Sequence, residues 1–382
     1  MGKKGLKLGK TARVGIAVLV SVIIVGCIFS ITWFGQKKDG LNSFRARPFS
    51  KKVHLMASPE AVPAGMTPAD IKKAYNISGA GKGTVAIVDA FDDPKIESDL
   101  GAFDRQFGIG ACTSANGCFE KRKMSSGVKS SAGWATEIAL DVEWAHAIAP
   151  GAKILLVEAA SDSGTNLLKA VDYARSRKDV VAISMSWGGS EFASEVKSEN
   201  HFVSPHGAVF FASSGDDGHG ASWPAVSANV IAVGGTKLNF TKAGNVRSET
   251  AWSGSGGGVS EYIAEPAFQS SYGIRYAKGK RAVPDVSYDA DPATGYPVYT
   301  SLSDSGAKGW FEVGGTSAGS PQWAALRAIS KNISLDRIYS AKTKDYFRDV
   351  KTGADGACKY FCKAKAGYDY VTGLGSPINL SF

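Results

Sequence analysis

At 382 residues, 44% hydrophobic and 21% charged, the chain has globular composition and enough sequence for one large domain or two ordinary ones. Its formal charge of +9 is unevenly placed: residues 1–38 hold seven Lys/Arg and no acid, and the remainder balances 37 basic against 35 acidic residues. The surplus therefore belongs to the N-terminus and not to a binding surface, which excludes nucleic acid as a partner.

Five cations (Lys3, Lys4, Lys7, Lys10, Arg13) precede residues 14–35, VGIAVLVSVIIVGCIFSITWFG, a charge-free run of 22 residues long enough to cross a bilayer. Residues 1–13 read as a cytoplasmic basic segment and residues 14–35 as a transmembrane signal anchor. The expected placement is a single-pass protein of the cell membrane with an extracytoplasmic domain, or a secreted one if the segment is cleaved. Ile24-Val25-Gly26-Cys27 also resembles a lipobox, in which Cys27 would be lipidated, although the apolar run continues past the cysteine. Residues 36–58 are polar and Lys/Arg/Pro-bearing, so they read as a tether.

From residue 59 to 382 the texture is that of one domain. Short Val/Ile/Ala-rich runs recur at 84–91, 152–160, 180–187, 208–216 and 229–235, with helical stretches such as 134–148 and 166–178 between them. Continuous apolar strands alternating with helices predict an α/β fold, a parallel sheet with helices on both faces. In such sheets functional groups collect at the carboxyl ends of the strands. Four cysteines form two close pairs, Cys112/Cys118 and Cys358/Cys362, which fit small-loop disulfides better than a zinc site. SGSGGGVSEY (253–262) lacks the GK[ST] of a phosphate loop and reads as a turn, or as a backbone close to substrate.

Chemistry enters at GGTSAGSPQWAA (314–325), whose centre places Ser317 in a G-x-S-x-G pattern. A serine hydroxyl needs a base. All five histidines (His54, His146, His201, His206, His219) precede Ser317, which removes the hydrolase order of serine, acid, histidine. No H-G-T-H-like helix start supplies a histidine of the Asp-His-Ser kind either. His146 lies nine residues past Glu137, on the opposite side of the helix, and His219 lies just past SSGDD without a defined role. The segment GWATEIALDVEW (133–144) offers Glu137 and Asp141 instead, four apart on one helix face. Most such pairs are solvated acidic faces, but these have apolar flanks and no Lys or Arg nearby, so two like charges are set side by side at a cost.

At these residues the chain resembles the sedolisins, the serine-carboxyl peptidases. The resemblance rests on an ordered set: MTPADIKKAYNI, GTVAIVDAFDDP, ATEIALD, SMSWGGSE, SSGDDG, the SGGG-like stretch near 257, RAVPDVSYDADPATG, GGTSAGSP and YDYVTGLGSP. It implies a subtilisin-like parallel sheet in a single large catalytic domain. The activity implied is that of an endopeptidase acting on protein or peptide substrates, as a monomer, through a Ser-Glu-Asp triad and an acyl-enzyme. Residue by residue, Ser317 would be the nucleophile, Glu137 the base, Asp141 its orienting partner, and Asp216 the oxyanion-hole acid, with Asp217 its adjacent rival. Asp89 and Trp187 match positions that extend the network in some relatives, although Asp89 also fits a strand-end turn residue. Asp349 and Asp369, with backbone oxygens of Val350, Lys365 and Gly367, match the family's Ca2+ site; Lys365 stands where a glycine is usual. The family's large N-terminal propeptide has no counterpart in the residues between 36 and 58.

The chemistry is coherent beside the resemblance. A glutamate serves as base only when ionised, and an aspartate donates to an oxyanion only when protonated, so both demands meet in acid. The alternative from another class is a binding protein of the same fold that has lost catalysis. Asn76, Asn239, Asn332 and Asn379 lie in N-x-[ST] sequons.

Overall fold

In the computed structural model, which describes Gly2 and residues 40–55, 64–340 and 343–380, the apolar runs of the sequence are strands of one sheet. The strands are β1 (Thr84–Ala90), β2 (Phe119–Lys123), β3 (Lys153–Ala159), β4 (Val180–Met185), β5 (Val209–Ser213), β6 (Val230–Phe240), β7 (Val246–Ala251) and β8 (Val286–Asp289). They lie in the order β7-β6-β5-β4-β1-β3-β2, with β8 also paired to β6. Every pairing is parallel except β6 with β7. The parallel α/β sheet expected from the sequence is present. Strand β2, FEKRK, carried no apolar signal because it is an edge strand, where charge guards against unwanted pairing.

Alternate residues of a strand feed two cores. Val85 and Ile87 of β1 pack with Ile138, Leu140 and Trp323, whereas Ala86 and Val88 pack with Leu167 and Val171. Helices α1 (Ile96–Phe107), α2 (Ala132–Ile148) and α4 (Gly319–Ile329) cover the first face, and α3 (Gly164–Ser176) covers the second. Helix α2 is hydrophobic all round, and residues 134–148 are all buried, as suits a helix between sheet and outer layer. It nonetheless carries Glu137, Asp141, Glu143 and His146 into the interior.

Both expected disulfides, Cys112–Cys118 and Cys358–Cys362, are formed. The stretch read as a polar tether is seated on the domain from Gly40 onward. Phe44, Ala46 and Phe49 are buried, Arg47–Pro48 pairs antiparallel with Trp187–Ser190, and Lys51–Leu55 pairs antiparallel with Gly309–Gly314. Intervening cations in FRARPFSKK hid the three buried side chains from a periodicity reading.

The membrane placement is corrected. Among the described residues no helix is long and apolar enough to cross a membrane. The run at 14–35 on which the single-pass reading rested lies outside the described residues, and that localisation is withdrawn.

Candidate active site

Ser317 is carried by a turn between the strand Gly309–Gly314 and α4. The turn depends on Gly315, whose φ of 107° suits glycine and leaves no room for a side chain. A Cβ there would lie 2.1 Å from Phe49 O and 2.5 Å from Asp216 Oδ2. Ser317 is fully buried, its Oγ donating to Ser186 O at 3.2 Å, while Ser186 Oγ donates to Ser317 O at 3.4 Å.

Four carboxyls converge near it from different elements: Glu137 and Asp141 from α2, Asp89 from the end of β1, and Asp216 from the loop after β5. All are at most 2% exposed. Both oxygens of Asp89, Glu137 and Asp141 are without a hydrogen-bond partner, as is Oδ2 of Asp216. Burying polar groups in this way costs free energy and shifts titration toward the neutral form.

Burial, and then the neighbouring Asp89, push Glu137 well above the ordinary carboxylate range; the Ser317 and Ser50 hydroxyls beside it favour its charged form. Neither hydroxyl forms a bond of ordinary geometry with it, and Ser317 Oγ is turned to Ser186 instead. Asp141 is raised by burial, then by Asp89 and Glu137. Asp89 rises to about 8 through burial and through Glu158, its register partner on β3. Asp216 rises to about 7 by burial, although its Oδ1 accepts from Thr316 N and Thr316 Oγ1 at 2.8 Å each and Lys51 and Arg47 lie close by.

The remaining expected positions separate clearly. Asp217 points outward and pairs with Arg47. Trp187 Nε1 donates to Val88 O at 2.7 Å, so it fixes the backbone next to Asp89 and not a carboxylate. His146 is buried against Gly110 O at 2.9 Å, and His219 is exposed beside Phe361. The Gly-rich stretch meets the protein's own backbone: a Cβ on Gly256 would lie 2.3 Å from Ser214 O and one on Gly257 1.9 Å from Tyr370 O. It buttresses the Asp216 loop, with Gly256 N donating to Gly215 O at 2.8 Å.

Sequence reasoning did not find Phe49, Ser50 or Ser186. Ser186 is plain only in hindsight, as the residue after β4 at the carboxyl edge of the sheet where functional groups collect.

Two of the expected cation ligands, Asp349 and Asp369, lie at one turn. Asp349 accepts from Gly367 N at 3.2 Å on each oxygen, and Asp369 accepts from Lys365 N at 3.0 Å, so both aspartates bracket one turn. Lys365 sends its ammonium away to Tyr360 O, at 3.2 Å. Two carboxylates and a backbone turn form the hard-oxygen set that suits Ca2+, and the residues fit it.

The sequence profile of the subtilase family matches residues 129–352. The chain belongs to the subtilase family. Among its members, the chain is 31% identical to sedolisin of Pseudomonas sp. (strain 101) over 261 residues, which is 58% of this chain and 43% of the relative. It is 31% identical to kumamolisin of Bacillus sp. (strain MN-32) over 386 aligned positions, 88% of this chain and 66% of the relative. The chain thus spans less than two thirds of the length of either relative. The solved structure of Pseudomonas sedolisin, a serine-carboxyl proteinase complexed with pseudo-iodotyrostatin, superposes with a TM-score of 0.70 at 29% identity, covering 83% of this chain and 96% of that one. Sphericase, at 19% identity and a TM-score of 0.53, shares the fold.

Proposed function

We propose that this subtilase is a serine-type endopeptidase that hydrolyses peptide bonds of protein or peptide substrates at acidic pH. In this reading Ser317 is the nucleophile, Glu137 takes its proton, Asp141 orients Glu137, and protonated Asp216 donates to the oxyanion. The observation that carries it is a fully buried serine hydroxyl beside three buried carboxyls, Asp89, Glu137 and Asp141, whose oxygens have no hydrogen-bond partner.

Asp89, Glu137 and Asp141 titrate as a set beside Asp216. The first proton leaves most easily, because each later loss is opposed by charge already present. In this reading the first charge sits on Glu137, where it makes a base, with the Ser317 and Ser50 hydroxyls favouring it against burial and Asp89. Asp216 must keep its proton, and it loses it near pH 7, so the alkaline limb falls there. Between the two losses the site holds a base and a donor together. Ser317 Oγ then attacks the substrate carbonyl, Glu137 passes the proton to the leaving amine, and water releases the acyl group by the reverse path.

Ca2+ would be held by Asp349 and Asp369 with backbone oxygens of Val350, Lys365 and Gly367, and would supply charge that ties the turn together. A peptide digest across pH 2–8 with the native chain and Ser317→Ala tests the assignment. Acid-optimal cleavage lost in the variant supports it, and cleavage unchanged by the substitution removes Ser317 as nucleophile.

A further inference from the structure

One buried histidine has no part in the chemistry above. His146, in the last turn of α2, is 1% exposed, and burial lowers it from its ordinary value, so it is neutral at neutral pH. Its Nε2 lies 2.9 Å from Gly110 O, and a carbonyl oxygen can only accept, so the ring proton sits on Nε2 and the lone pair of Nδ1 is left bare. Nδ1 is buried and has no hydrogen-bond partner. A ring nitrogen of His146 and the sulfurs of Cys112 and Cys118 lie within 4.8 Å of one another. The spacing of the two cysteines gave no hint of this, because the histidine comes from a different element.

The surroundings are those a metal ligand needs. Asp104 reaches in from α1, its Oδ1 3.5 Å from His146 Nε2 and without a hydrogen-bond partner. A carboxyl and a carbonyl thus both favour the tautomer that bares Nδ1, as the outer partners of zinc-bound histidines do. Asp104 Oδ2 accepts from Cys112 N at 3.1 Å, which ties the same carboxyl to the first cysteine. The loop between the cysteines keeps its shape through bonds of its own. Asn116 Oδ1 accepts from Thr113 N and Cys118 N at 3.1 and 3.0 Å, its Nδ2 donates to Ala111 O at 2.7 Å, and Ser114 donates twice to Glu97 Oε1, at 2.8 Å each. Opening the disulfide therefore leaves both sulfurs beside the histidine. Residues 114–117 are exposed and Cys118 is half-buried, which gives an ion a way in. Two thiolates and an imidazole make a soft N/S set, which suits Zn2+ and not Ca2+.

We propose that Cys112, Cys118 and His146 form a thiol-gated zinc site: the disulfide is its closed form, and reduction opens a place for one Zn2+ held by two thiolates and His146 Nδ1. The inference is independent of the peptidase reading above. In the step, a dithiol reductant becomes a disulfide; its two electrons break the Cys112–Cys118 bond and its two protons pass to the sulfurs. Zn2+ then displaces both thiol protons, while His146 keeps its Nε2 proton toward Gly110 O. With Zn–S bonds of about 2.3 Å in a tetrahedral site the sulfurs stand about 3.8 Å apart, inside the span the three ligand atoms already share. A water entering past Cys118 takes the fourth position. The bound ion ties the 112–118 loop to α2, the helix that carries Glu137 and Asp141.

The test uses the full chain at neutral pH, with Ser317→Ala to prevent self-digestion and Cys358→Ser with Cys362→Ser to remove the other cysteine pair. Zn2+ is titrated against a chromophoric chelator before and after reduction by a dithiol that is then removed without air. The expected result is one Zn2+ per chain in the reduced form and none in the oxidised form, with Cys112 and Cys118 shielded from alkylation while the ion is bound. His146→Gln should lower the affinity about a hundredfold or more, at least what loss of an outer partner costs a zinc site. A reduced chain that binds no Zn2+ overturns the site, as does an affinity unmoved by His146→Gln. Should that variant fail to fold, X-ray absorption at the zinc edge of the chain that keeps His146 decides in its place. Two sulfurs and one imidazole around the ion support the assignment, whereas sulfur and oxygen without imidazole overturn it.

Discussion

Replacing Asp216 by Asn isolates the electrostatic cost of the buried acid. The amide keeps Oδ1 as acceptor for Thr316 N and Thr316 Oγ1, and puts an NH2 where Oδ2 has no partner. The acid titrates near pH 7 in the folded chain against an ordinary 3.8. Between those values the folded state holds a proton that the unfolded state has released, so stability falls as pH rises through this window and is flat on either side. About three pH units at 1.36 kcal/mol each give about 4 kcal/mol lost by pH 8, and less than about 1 kcal/mol by pH 4. An amide cannot ionise and escapes the loss. In a Ser317→Ala background, which prevents self-digestion, urea unfolding should find Asp216→Asn more stable by about 4 kcal/mol at pH 8 and nearly unchanged at pH 4. Equal effects at the two pH values, or no gain at pH 8, would show that burial does not hold Asp216 protonated.

Other substitutions probe separate parts. Glu137→Gln should lower kcat by at least about a hundredfold at every pH while leaving unfolding at pH 4 little changed, as steady-state kinetics and urea titration will show. Asp89 rises to about 8 and is therefore neutral where Glu137 takes the first charge, so Asp89→Asn should leave the acid limb of the pH–rate profile in place; a shifted limb would show that Asp89 ionises before Glu137. Asp285 is paired in two bonds with the fully buried Arg281, at 2.7 and 2.6 Å; Asp285→Ala leaves that charge uncompensated and should cost about 3–5 kcal/mol in urea unfolding. Chelation by EGTA should lower the melting temperature of the native chain, and less so that of Asp369→Asn; an unchanged melting temperature counts against the ion.

Much of this was legible because local signals and tertiary demands agreed. The runs at 84–91 and 152–160 are apolar on both faces, which only a sheet covered twice requires, and they are β1 and β3. Glu137 and Asp141 stood out because like charges four apart among Ala, Ile and Leu are costly without a purpose. What escaped was set by partners far along the chain. Phe49 and Ser50 are ordinary residues in a cationic stretch, and their position follows from pairing with Trp187–Ser190 and the Ser317 amide. The 253–262 glycines announced a tight backbone but not what it approaches, which is Ser214 on one side and Tyr370 on the other.

Those glycines have a mechanical consequence. Ser255 Oγ donates to Val371 O at 2.8 Å, Gly257 abuts Tyr370 O, and Gly256 abuts Ser214 O two residues before Asp216. At Gly256 and Gly257 main chain is stacked on main chain between the Asp369 turn and the Asp216 loop, with no side chain at those two positions to absorb a displacement. Slackening the far turn by a few tenths of an ångström would carry through the stack like play in a linkage, so a cation held at that distant corner would help keep the acid's carboxyl in line.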